Sequence, residues 1–194
     1  MKLGAVILAA GEASRFGKPK QLLEIDGQTL VQRACRLAVS AGASSTVVVW
    51  GAYQEVMFET DSGKIIFVEN PKWREGMGSS LARGMSELIN CKLDAVLILL
   101  VDQPGINEQT IKRLIEALSS SEISIVRCQS EKNVGPPAIF AAKHFTSLSQ
   151  LEGEQGGRQL LNQYAAEVTT IWAPEAVWDI DEIEIWQKFS KDFC

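Results

Sequence analysis

"KLGAVILAAGEASRFGKPK", residues 2–20, decides the fold. Its first half is an apolar run without polar alternation, the pattern of a strand buried on both faces of a parallel sheet. Its second half is a glycine-bounded loop carrying Arg15, Lys18 and Lys20. A strand feeding a cationic loop suggests phosphate binding, but two familiar loops do not fit. An ATPase loop needs GxxxxGK followed by Ser or Thr; here five residues separate Gly11 from Gly17, and Pro19 follows Lys18. A dinucleotide fingerprint needs GxGxxG, and Glu-Ala-Ser-Arg follows Gly11. What remains is a strand ending in Ala9, Ala10 and Gly11, small enough for a base or ribose to approach the backbone closely. Arg15 offers a fork and Lys20 a point charge to a polyphosphate.

Working outward, similar apolar runs recur at 46–50, 64–68, 94–101 and 123–127. Helical stripes lie between them at 29–41, 79–90 and 107–119, the last behind an Asn107 cap. Strands alternating with helices predict right-handed crossovers and a doubly wound, mostly parallel sheet in a three-layer α/β/α fold. Beyond residue 130 the rhythm loosens to a strand at 137–142, a short helix, a Gly-rich turn, a helix at 157–165 and a strand at 168–172. No linker or repeat interrupts the chain, so residues 1–194 read as a single domain, with about 130–172 forming a lobe on one side of the sheet. Ligands of open α/β sheets sit at the carboxyl ends of the strands. That directs attention to loops 9–20, 51–53, 69–80 and 102–106.

Composition narrows the function. The chain has 194 residues, 46% hydrophobic and 22% charged, with a formal net charge of −5. That is an ordinary globular balance, with no general attraction to nucleic acid or an anionic membrane. The cysteines form no CxxC pair, against a zinc knuckle or a redox motif. "AVLILLV" at 95–101 is too short to cross a bilayer, and the first strand turns polar too soon for a secretory leader; a reduced, cytoplasmic protein is expected. Basic residues crowd the first forty positions and acidic ones the tail, which suits an anionic substrate with a metal cation. His144 is the only histidine. No Ser-His-Asp relay is evident, and His144 reads as a packing or helix-surface residue.

"VILAAGEASRFGKPKQLLEIDGQTLVQRA" resembles the N-terminal signature of nucleotidyltransferases, LAAGxSxRxGxPKxLL, and most closely that of the molybdenum cofactor cytidylyltransferase branch. "VENPKWREGMGSSLARGM" is similar to that family's NPxWxxGMSSSLRAG segment, "LLVDQPGI" to its DQP turn, "LEGEQGGRQLL" to its GDxGAR turn and "VWDIDEIEIW" to its closing DIDTPED. Five segments in the expected order make the match specific.

The resemblance implies a Rossmann-like nucleotidyltransferase that moves CMP from CTP to a phosphorylated acceptor, molybdopterin foremost, with Mg2+ and release of pyrophosphate. Arg15, Lys20 and Asp102 would be catalytic. Leu8, Ala9, Ala10, Gly11, Arg15, Lys20, Gly78, Ser79, Ser80 and Asp102 would bind nucleotide, although Ser79 or Ser80 equally suits a helix N-cap. Asp102 and Asp181 would hold the metal, with Asp179 as the alternative second ligand. Gly135, Pro136 and Arg158 would face the acceptor. An apo-molybdoenzyme or a chaperone is a further implied partner. Leu-Ala-Ala-Gly favours CTP; the guanylyl enzymes of the same pathway carry Leu-Ala-Gly-Gly. Gly135-Pro136-Pro137 stands where that branch has Gly-His-Pro. A GTP-using guanylyltransferase, a sugar-phosphate nucleotidyltransferase and a non-catalytic cofactor carrier stay open as alternatives.

Overall fold

The computed structural model describes residues 1–194 except 14–15, 59–62, 120–122, 155, 182 and 194. Seven strands form one sheet in the order β5-β4-β1-β6-β8-β7-β9. They are β1 (Leu3–Ala9), β4 (Ala43–Trp50), β5 (Ile65–Glu69), β6 (Ala95–Leu100), β7 (Ile125–Gln129), β8 (Val134–Ala141) and β9 (Val168–Trp172). β8 runs antiparallel to both neighbours, whereas all other pairs in this sheet are parallel. A two-stranded ribbon, β2 (Glu24–Ile25) with β3 (Gln28–Thr29), leads into the first helix.

Alternation along the strands builds both cores. On β1, Ala5, Ile7 and Ala9 face one layer, and Val6 and Leu8 face the other. The first layer is α1 (Leu30–Ser40) and α3 (Glu108–Leu118), packed through Val31, Ala34, Ile111 and Leu114. The second is α2 (Met77–Leu88), α4 (Phe145–Ser149) and α5 (Gly156–Gln163), packed through Leu81, Met85, Leu148 and Leu160. Every residue of β1 is buried, which is why this strand shows no polar alternation.

Local signals start the helices. Thr29 and Gln32 form a reciprocal capping box on α1, and Asn107 accepts from the Thr110 N–H to cap α3; such caps are each worth about 1 kcal/mol. α2 departs from expectation. Its N-cap is Gly76, so neither Ser79 nor Ser80 caps it.

The tail adds α6 (Ile183–Phe193). It belongs to a third apolar cluster in which Phe16, Ile25 and Leu30 meet Ile180 and Phe189. The backbone N–H of Ile180 donates to the Asp102 carbonyl at 2.8 Å. A Cβ on Gly105 would lie 2.4 Å from the Glu175 carbonyl, so glycine there admits the returning chain. These contacts peg residues 175–181 against the end of β6.

Candidate active site

The carboxyl ends of β1 and β6 open into a cleft of about 720 Å³. Its walls come from six separate segments: Leu8–Ala13, Lys20–Gln21, Trp73 to Ser80 through Arg74, Gly76 and Met77, Leu100–Asp102, the turn at Glu154, and the tail at Asp181. Loop 51–53 does not line it. Instead that loop buttresses the wall: Ala52 N–H donates to the Ala10 carbonyl at 3.0 Å, and the Tyr53 hydroxyl to the Glu12 carbonyl at 2.7 Å.

Lys20 is the hub. Its Nζ lies 2.6 Å from Asp102 Oδ2 and 2.9 Å from Asp181 Oδ1. Burial alone would lower the Lys20 pKa, but the charge and hydrogen bond of Asp102, then those of Asp181, raise it above the ordinary lysine value. The ammonium therefore stays charged through the neutral range. Asp179 completes a trio: Asp102, Asp179 and Asp181 each offer a ligand atom, all within 4.8 Å of one another. Burial, then the negative charges of Asp102 and Asp181, push the Asp179 carboxyl up to about 7, with Lys20 opposing. Among the described residues, Asp102 Oδ1 is buried without a hydrogen-bond partner. A hard divalent cation would satisfy that oxygen and offset the crowded negative charge, so the donor set fits one.

The sequence-based candidates divide clearly. Leu8, Ala9, Ala10, Gly11, Lys20, Ser80, Asp102 and Asp181 all line the cleft. Gly78 and Ser79 do not; they shape it from behind. Gly78 N–H donates to the Gly153 carbonyl at 2.9 Å, and Ser79 Oγ sits 2.9 Å from the Gly76 carbonyl and accepts from Asn70. Gly76, at φ 116°, would place a Cβ 2.6 Å from the Glu154 nitrogen. The glycines at the head of α2 thus admit the 152–154 turn. Gly135, Pro136 and Arg158 line a second cavity of about 600 Å³ that shares Leu8, Met77 and Glu154 with the first. Arg15 lies outside the described residues.

Three contributors escaped the sequence reading. Gln21 is 1% exposed, and its amide donates to the carbonyls of Ala9 and Gly11, fixing the backbone where the strand ends. Asn70 is buried and donates to Ser79 Oγ and Ser80 Oγ. Glu154 stands at the junction of both cavities. Only proximity to the Pro-Lys and Asn-Pro motifs marked the first two. His144 packs inside: it is 1% exposed, bonded through Nε2 to Ser124 Oγ at 2.8 Å and edge-on to Tyr164.

A three-layer α/β/α sheet with a cationic loop after β1, and carboxylates brought together from the end of β6 and from the tail, is the architecture of a Rossmann-like nucleotidyltransferase, a transferase enzyme. Residues 5–168 match the MobA-like NTP transferase domain, and the chain belongs to that family. It is 32% identical over 166 residues to Nicotine blue oxidoreductase of Paenarthrobacter nicotinovorans, a match covering 81% of this chain and 80% of that protein. Among solved structures, a nucleotidyl transferase from Methanothermobacter superposes with a TM-score of 0.81 at 22% identity, covering 99% of this chain and 97% of that one. Rv0371C of Mycobacterium tuberculosis, solved in complex with manganese, gives 0.74 at 24% identity, covering 98% and 99%. At these identities the two structural matches speak to the fold.

Proposed function

We propose that the chain transfers CMP from CTP to a phosphorylated small-molecule acceptor, molybdopterin being the leading candidate, and releases pyrophosphate. The observation that carries this reading is the meeting of Lys20, Asp102 and Asp181 in one cleft beside the backbone of residues 8–13. In the reaction, an acceptor phosphate oxygen forms a bond to the α-phosphorus while the bond from that phosphorus to the β-bridging oxygen breaks. Two anions must meet, so positive charge and alignment matter more than a covalent nucleophile.

Lys20 supplies a permanent cation at the reacting phosphates, and Arg15 is proposed as a second. The backbone of Leu8, Ala9, Ala10 and Gly11, held by Gln21, takes the base and ribose, with Ser80 beside them. Asp102 with Asp181, or with Asp179, would hold Mg2+, which when bound supplies further positive charge to the phosphate oxygens. The manganese complex of the mycobacterial neighbour supports a divalent cation as the metal. Gly135, Pro136 and Arg158 face the acceptor. Leu-Ala-Ala-Gly supports CTP over GTP through the resemblance of that motif. A cytoplasmic setting, with an apo-molybdoenzyme or a chaperone receiving the product, follows from the same reading.

The test is pyrophosphate release from each common nucleoside triphosphate with Mg2+ and either molybdopterin or a sugar phosphate as acceptor. Release with CTP is expected. Release with GTP alone would overturn the base assignment, and release only with sugar phosphates would overturn the acceptor. Oxidoreductase turnover without pyrophosphate release would replace the transfer reaction by the chemistry named for the Paenarthrobacter relative.

A further inference from the structure

β9 ends the sheet, so one of its edges meets no strand. Edge strands are commonly guarded by a charge, a proline or a bulge, because open N–H and C=O groups invite another strand. The opposite edge, β5, has such guards in Glu69, within the strand, and Lys64 just before it. β9 reads Val-Thr-Thr-Ile-Trp, uncharged and in unbroken register with β7. All five residues are β-branched or aromatic, the types that favour a strand. Thr170 is exposed, and Trp172 is 51% exposed.

The hydrogen bonds of β9 define what its open edge offers. Ala173 N–H donates to the Gln129 carbonyl at 2.7 Å, where the ladder pairs Trp172 with Gln129. Alternate residues of a strand turn their polar groups to opposite sides. Thr169 and Ile171 therefore bond to β7, and Val168, Thr170 and Trp172 present theirs at the free edge. Some of these are already engaged. Val168 N–H donates to the Ala165 carbonyl, and the Trp172 carbonyl accepts from the Arg113 guanidinium. The Val168 carbonyl, the Thr170 N–H and carbonyl, and the Trp172 N–H have no partner among the described residues.

That remainder is self-complementary. We infer that a second copy of this chain docks edge to edge on β9, antiparallel about a two-fold axis at Thr170. In that register Thr170 N–H and carbonyl exchange bonds with Thr170 of the second copy. Each Trp172 N–H donates to the Val168 carbonyl opposite, and the groups left over are those Ala165 and Arg113 already satisfy. Neighbouring registers lack this match. An axis one residue onward sets the Val168 carbonyl against Pro174, which has no N–H. An axis one residue back asks the engaged Val168 N–H to donate to Thr170. Side chains agree with the backbone: the exposed Trp172 ring lies beside Val168 of the second copy, an aromatic and β-branched cross-strand pair. The contact is isologous, as a closed dimer requires. Because the pairing is antiparallel, the clefts of the two copies face opposite ways. The inference is independent of the transferase reading.

Sedimentation velocity of the full chain over roughly 1–500 μM, the range in which a small interface is populated, tests it. Wild type should pass from monomer to dimer. Thr170→Lys and Thr170→Glu should each weaken the dimer by about tenfold or more, because the axis sets like charges directly opposite. An equimolar mixture of the two variants should dimerise again. Amide hydrogen exchange of the wild type needs no variant: Thr170 and Trp172 should gain protection as concentration rises, and Thr169 and Ile171 should not change. A wild type that stays monomeric, or exchange at Thr170 and Trp172 that is indifferent to concentration, would overturn the inference. So would variants that dimerise as wild type does, or a mixture that fails to restore the dimer.

Discussion

The two cavities share a wall and almost nothing else. The cleft at the ends of β1 and β6 is made of charge: Lys20 between Asp102 and Asp181, with Asp179 close behind. The cavity under α2 and α5 is lined mostly by apolar side chains, with two arginines and a glutamate among them. Phosphoryl chemistry needs fixed charges, and their positions are dictated by the reaction. Holding an acceptor needs a shape, which many side-chain combinations supply. On the proposed reading, the difference separates what performs the reaction from what chooses the reactant.

Substitutions in the charged cleft should give the largest effects. Asp102→Asn and Lys20→Met should each lower turnover by about 10²–10³-fold, as loss of one fixed electrostatic group does elsewhere; Lys20→Met should also lower the melting temperature in the absence of metal, because it leaves Asp102, Asp179 and Asp181 together without their cation. A comparable loss on emptying the apolar cavity would break the distinction between the two regions.

Next comes the clamp that brings the tail to the cleft. Ile180 is fully buried, and its N–H bonds to the Asp102 carbonyl. Ile180→Ala should cost about 3 kcal/mol in denaturant unfolding and weaken Mn2+ binding, because it loosens the segment carrying Asp179 and Asp181. Gly76→Ala should follow at about 2 kcal/mol, since it combines a positive φ with a collision against the 153–154 turn. That variant alone should disturb nucleotide and acceptor binding together, because the turn borders both cavities.

The smallest effect is a pH signature. Asp179 has its pKa raised from 3.8 to about 7 in the fold, so folding favours its protonated form. Metal-free stability from this group is fully present below the unfolded value near 4 and is lost as pH rises toward about 7. Asp179→Asn should flatten that decline in thermal unfolding measured from pH 4 to 8, and Mn2+ should reverse it in the wild type. A wild-type curve that rises over this range and is unchanged by Asp179→Asn would contradict the assignment.

Much of this was legible in the sequence, and the boundary has physical causes. Continuous apolar runs located β1, β4, β5, β6 and β7 within a few residues, because burial on both faces leaves one composition. The same runs are silent on direction, so the antiparallel setting of β8 between β6 and β7 came only from the structure. The β2–β3 ribbon is too short for periodicity to register. Ile185, Trp186 and Phe189 in α6 carry a helical stripe, but the acidic Asp-Ile-Asp motif beside them drew the reading. In the site, Lys20, Asp102 and Asp181 stand in motifs, whereas Gln21 and Asn70 act by holding backbone and hydroxyl groups that other residues present. Thr170 and Trp172 had no motif at all; only the sheet order set their strand at an edge.

Electron paramagnetic resonance of Mn2+ with CTP tests the convergence of these segments most directly. Wild type should show a tightly bound ion whose affinity rises with CTP, and Asp102→Asn should lose that binding while keeping its fold. Equal Mn2+–CTP binding by wild type, Asp102→Asn and an Asp179→Asn/Asp181→Asn double variant would contradict the account.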